Sequence, residues 1–171
     1  MKKLTLCIGI ILVTLYLAGC NPRFQHEDQF YNDSGEFTYL RFPLIKPYYM
    51  DRLDGKSPWV MSSLSLWAPP PNATYLYRSL RDVRNLSVKN GVIMVYSPYV
   101  DEQVDQSIRE KYFHWFVVVP DKNIEVGFEN EGAFLEYIQQ FGIQQPDWLE
   151  PNDIYKEFAQ TGCLDWIPDC K

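Results

Sequence analysis

Histidine is scarce: the chain of 171 residues has two, His26 and His114. Chemistry that gathers imidazoles around a metal, or pairs one with a nucleophile, has little to draw on. No Gly-x-Ser-x-Gly turn, His-Glu-x-x-His helix or phosphate-cradling loop occurs, so no cofactor and no metal are expected. Glycine is also sparse, at nine residues, and no repeat is visible, which excludes collagen-like and low-complexity classes. There is no long basic run, and 16 basic residues face 22 acidic ones. The electrostatic footprint of a nucleic-acid binder is therefore missing. What the chain has instead is bulk. With 46% hydrophobic and 16% aromatic residues it can fill one core, and a disordered chain is excluded.

The one long uncharged run lies at the N-terminus. Lys2-Lys3 precede residues 4–16, which are uncharged and mostly apolar, and Leu17-Ala18-Gly19-Cys20 follows. The run falls short of the roughly 20 residues that span a bilayer. It suits a signal peptide closed by small residues that a peptidase admits. The tetrapeptide resembles the lipobox of bacterial lipoproteins, a resemblance confined to the leader. It implies that residues 1–19 are cleaved, that Cys20 is diacylated on sulfur, and that the new amino group is open to acylation. Acyl chains that bury methylenes at about 0.8 kcal/mol each make a membrane anchor. Asn21 and Pro22 follow Cys20, with no Asp at the second mature position. By analogy with lipoprotein sorting in diderm bacteria, this points to the outer membrane, facing the periplasm. Cleavage removes Lys2 and Lys3 from the 16 basic residues, leaving 14 against 22 acidic ones and a net charge of −8.

Of four cysteines, Cys7 leaves with the leader and Cys20 takes the lipid. Cys163 and Cys170 remain, and in an exported protein a disulfide is their natural pairing. So short a loop stabilises by roughly 2–3 kcal/mol in the chain-entropy model. A metal site is the rival, but no second cysteine pair or nearby histidine in the sequence supplies its ligands. A redox-active pair is normally Cys-x-x-Cys, which this is not.

Residues 20–35 read as a lipidated tether, polar from Asn21 to Gly35. Fully extended, such a segment of 15 residues reaches at most about 50 Å. Phe24, Phe30 and Tyr31 are unusual for a linker and are candidates to dock on the body or on headgroups. Residues 36–171 form a single domain, sheet-rich over 36–128 and helical over 129–171. Alternation predicts a strand over 36–42 and an apolar strand over 59–67. Asn90-Gly91 predicts a type I′ hairpin that pairs Lys89 with Val92, Val88 with Ile93 and Leu86 with Val95. A second hairpin, looped through residues 120–123, pairs Val119 with Ile124, Val117 with Val126 and Trp115 with Phe128. Residues 101–111 have the spacing of a short helix. Two helices close the chain: one capped by Asn130 and stopped at Gly142, the other starting at Pro151 and ending before Gly162. The fold class is α+β, a mostly antiparallel sheet of five to seven strands with two helices at the C-terminal end.

Candidate chemistry is thin. His26 falls in the tether, where no residue is held to catalytic tolerance, and His114 reads as a sheet histidine. Asp51 and Asp54 offer too few oxygens for calcium and lack EF-hand spacing; a turn at Asp54-Gly55 is the plainer reading. Asp165 and Asp169 read as turn caps. Tyr48, Tyr49, Trp59 and Trp67, with Tyr75 and Tyr77, crowd loops and strand ends, where rings stack on sugars or anchor a protein partner. The same rings also make good strand and core residues. Two functions stay open. The first is a non-catalytic module that binds an envelope protein or glycan. The second is a membrane-tethered hydrolase acting on envelope glycan or peptide through dispersed carboxylates or His114. The balance leans to the first.

Overall fold

Short strands that bury one apolar row begin the fold. The computed structural model describes residues 23–36, 38–64, 79–98 and 113–170. Strands β1 (Gly35–Glu36), β2 (Tyr39–Pro43), β3 (Tyr49–Arg52), β4 (Val60–Ser62) and β5 (Ser79–Leu80) form a five-stranded antiparallel meander in sequence order. Its register sets Phe42 opposite Met50, Met50 opposite Met61, and Met61 opposite Leu80. Directly paired residues share a face, so these four side chains make one continuous buried row. The strand expected over 36–42 is in fact two. The chain reverses between Glu36 and Tyr39, which pair, and Gly35, at φ +84°, pairs with Leu40 where a Cβ would strike the Tyr39 carbonyl.

The second sheet holds β6 (Asn85–Lys89), β7 (Val92–Tyr96), β8 (Trp115–Val119) and β9 (Ile124–Phe128) in that order, all antiparallel. Both expected hairpins form in the expected registers. Asn90 and Gly91 both take positive φ, 53° and 75°, as a primed turn requires. Alternation buries both faces. Leu86, Ile93, Val95, Phe116 and Val118 pack into the core shared with the first sheet. Val92, Met94, Val117 and Val119 pack on the opposite side.

That opposite side is covered by helix α1 (Glu131–Ile138), whose Phe134 and Ile138 are fully buried in the second core. The Asn130 side chain caps it by accepting from the Ala133 N–H. Helix α2 (Pro151–Thr161) sends Ile154 and Phe158 into the first core and stops at Gly162, φ +76°. A disulfide joins Cys163 and Cys170, and Leu164 and Ile167 of its loop are buried.

The α+β class, the antiparallel pairing and the two late helices are as expected, but the single sheet of five to seven strands is not. The chain leaves β5 through Asp82, at φ +51°, and Val83 bonds back to Trp59 (N–H to O, 2.9 Å). This corner starts a new sheet in front of the first. The helix expected over 101–111 lies outside the described residues. Among the described residues no helix is long and apolar enough to cross a membrane.

Candidate binding cleft

Two backbone contacts frame a cleft among the described residues. Leu86 and Leu149 exchange both N–H···O bonds at 2.9 Å, which lays the lead-in to α2 against the edge of β6. The Val83–Trp59 bond draws the inter-sheet corner beside the loop after β3. Between them opens a cleft of about 450 Å³, walled by the 52–59 loop, residues 82–85 and the first turn of α2.

Arg52 is the fixed element of this cleft. Its guanidinium lies 4.7 Å over the Trp59 ring, and Nη1 donates to Asn152 Oδ1 at 3.0 Å. The Trp59 indole N–H donates to the same oxygen at 2.9 Å. Arg52 Nε is buried with no hydrogen-bond partner. Lys56 and Arg84 line the same cleft, Arg84 already tied to Asp82 at 2.9 Å. Glu150 also lines it, and its side chain does not cap α2. A flat guanidinium held from two sides loses little entropy on binding, and it accepts an oxyanion in a fixed plane.

The expected site residues fall elsewhere, or into new roles. Trp59 is 4% exposed and Tyr48 6%, so neither ring projects as a stacking platform. Trp59 packs edge-on against Phe42, with centroids 5.1 Å apart. Tyr48 donates to Glu125 Oε1 at 2.7 Å, pinning the first sheet to β9 of the second. Burial first, and then Glu125, push the Tyr48 phenol well above its ordinary range. Tyr49 is half-buried under the Arg41 guanidinium, 3.7 Å from its centroid. Trp67, Tyr75, Tyr77 and Cys20 lie outside the described residues.

Asp51 and Asp54 do not converge. Asp54 accepts from the Lys56 and Ser57 N–H groups, closing the turn expected there, and these bonds hold its carboxyl below the usual range. Asp51 accepts from the Ser62 hydroxyl, and burial raises it. His114 sits at the start of β8, Nδ1 3.3 Å from the Ser97 carbonyl. None of the three lines the cleft.

The described part of the expected tether, from Arg23 onward, is bound to the body. The Phe24 N–H donates to Thr161 O at 3.0 Å, and Arg23 lies 4.8 Å over the Phe158 ring. Tyr31 is buried in the first core. His26, 9% exposed, reaches Gly162 O with Nε2 at 2.8 Å. The signal was present as Phe24, Phe30 and Tyr31 within a polar stretch, but the surface they meet is far along the chain. No protein-family model, no curated protein and no solved structure matches this chain.

Proposed function

We propose that this chain is a lipid-anchored cell-envelope protein whose body is a non-catalytic binding module. Acyl chains on Cys20 hold it to an extracytoplasmic bilayer, the outer membrane facing the periplasm in a diderm cell. Its partner presents an acidic group to the cleft at the head of α2. The anchor rests on the ordered leader, in which charged residues, an apolar run and small residues precede the cysteine. The binding reading rests above all on Arg52, clamped between Trp59 and Asn152. In a chain with an acidic balance, this cleft sets Arg52, Lys56 and Arg84 against Asp82 and Glu150, and with Arg84 paired to Asp82 its surplus is a single positive charge. Such a site attracts a carboxylate of an envelope protein or glycan against the charge of the whole molecule.

Crosslinking with affinity capture from intact cells tests this reading. The wild-type chain should retain a specific partner, and Arg52→Ala should lose about tenfold in recovery, the worth of one oriented charge-assisted bond. Equal capture by wild type and Arg52→Ala, both folded, would remove the cleft from the proposal.

A further inference from the structure

We propose that the Cys163–Cys170 staple and His26 form a second site: once the disulfide is reduced, the two thiolates and the imidazole bind a thiophilic divalent cation, Zn²⁺ by chemical class. Three donor atoms, His26 nitrogen and the two sulfurs, lie within 4.8 Å of one another. His26 Nε2 is 3.6 Å from Cys170 Sγ. Tetrahedral zinc, with Zn–S near 2.3 Å and Zn–N near 2.0–2.1 Å, sets an N···S edge of about 3.6 Å. That edge already exists. The two sulfurs would have to part to about 3.8 Å, the S···S edge of the same tetrahedron. Their Cα atoms are 5.4 Å apart, close enough for side-chain rotation alone to open that gap.

The imidazole is placed independently of the sulfurs. The His26 N–H donates to Asn32 Oδ1 at 2.7 Å, and the Asn32 amide returns a bond to His26 O at 2.6 Å. Its ring meets Phe24 edge-on at 4.7 Å. Gly162 lets this segment approach, because a Cβ there would collide with the Phe24 carbonyl. The ring also has a nitrogen to spare: Nδ1 is buried with no hydrogen-bond partner. In the oxidised form Nε2–H donates to Gly162 O. When Nε2 ligates, it gives up the Gly162 O bond and the ring proton moves to Nδ1, so the metal has to offset that lost bond. A solvent molecule completes four-coordination.

The electron balance is simple. A dithiol reductant gives two electrons and two protons to the Cys163–Cys170 bond and becomes a cyclic disulfide itself. Zn²⁺ then displaces the two thiol protons into solvent and accepts both sulfurs and Nε2. The bridge and the metal site are alternative states of the same three side chains. The His26–Cys170 contact spans 144 residues, so the metal would tie the N-terminal segment to the C-terminal loop, whereas the disulfide closes only the loop between Cys163 and Cys170.

The test uses the full chain, reduced with a dithiol, desalted without oxygen and titrated with Zn²⁺ against a chromogenic chelator, with Co²⁺ as a spectroscopic stand-in. The reduced wild type should bind a single zinc and give thiolate-to-cobalt charge-transfer bands, while the oxidised protein binds none. His26→Gln, which keeps a donor for Gly162 O, should weaken zinc at least about tenfold with the fold intact. If reduction loosens the fold, zinc should restore the melting temperature of the wild type more than that of His26→Gln. No binding after reduction, no zinc-dependent rescue of a loosened fold, or equal affinity in His26→Gln would each overturn the proposal.

Discussion

Tyr48 is a single side chain holding two layers together, because its hydroxyl crosses from the β2–β3 turn to Glu125 on β9. Tyr48→Phe should cost about 1 kcal/mol in urea denaturation, the usual worth of one intramolecular hydrogen bond. The same bond has a pH signature. Burial and Glu125 raise the phenol above its ordinary value of 10, so the unfolded chain loses this proton first as pH rises. The stability it contributes is complete below pH 10 and declines above it. Tyr48→Phe should flatten that alkaline decline; an unchanged alkaline limb in the variant would assign the decline to other groups. Asp51 has the same sign at the acid end, since burial raises it as well. Its contribution is greatest in acid and fades as pH climbs through its raised value, so Asp51→Asn should gain on the wild type toward neutrality when melting curves are compared.

At the scale of elements, Gly162 joins the end of α2 to the N-terminal segment. Its φ of +76° and the nearby Phe24 carbonyl leave no room for a methyl group. Gly162→Ala should lower stability by about 1–2 kcal/mol through the left-handed backbone alone, and should open residues 23–34 to protease. A thermal midpoint and a cleavage pattern like the wild type's would contradict this. The two hairpins were legible in the sequence because two constraints coincide: Asn90-Gly91 fixes the turn, and alternation fixes the face. The division into two sheets was not legible. It depends on Asp82 at positive φ, in a run with no glycine or proline, and on β1 and β5, each too short to show a period. The cleft escaped for another reason. Arg52 and Asn152 are 100 residues apart, and long-range contacts bring them together: Ile154 and Phe158 of α2 pack in the first core, and the Leu86–Leu149 bridge seats the lead-in to α2. Trp59 and Tyr48 were legible as important aromatics but not as buried ones, since strand, core and recognition surface draw on the same residue types.

At the scale of the whole molecule, the proposed leader and its lipid would decide where the fold works. Cys20→Ser should shift the protein from the membrane to the soluble fraction on cell fractionation while its circular dichroism stays that of the wild type. A variant that remains in the membrane fraction with its leader removed would contradict lipidation. Helix α2 also sets a separation: its first turn borders the cleft and its last holds Arg23 and Phe24. Eleven residues of helix put these ends about 16 Å apart.

Because the chain is moored from Arg23 onward, an acylated Cys20 would leave a leash of three residues, at most about 10 Å, where 15 free residues would allow about 50 Å. Roaming volume goes as the cube of that length, so it shrinks roughly a hundredfold. So anchored, the molecule would not sweep the space around it. Its cleft would stay within about one leash and one helix length of the bilayer, its partner would have to come within that reach, and lengthening the leash by inserting a flexible spacer after Pro22 should change which neighbours it meets.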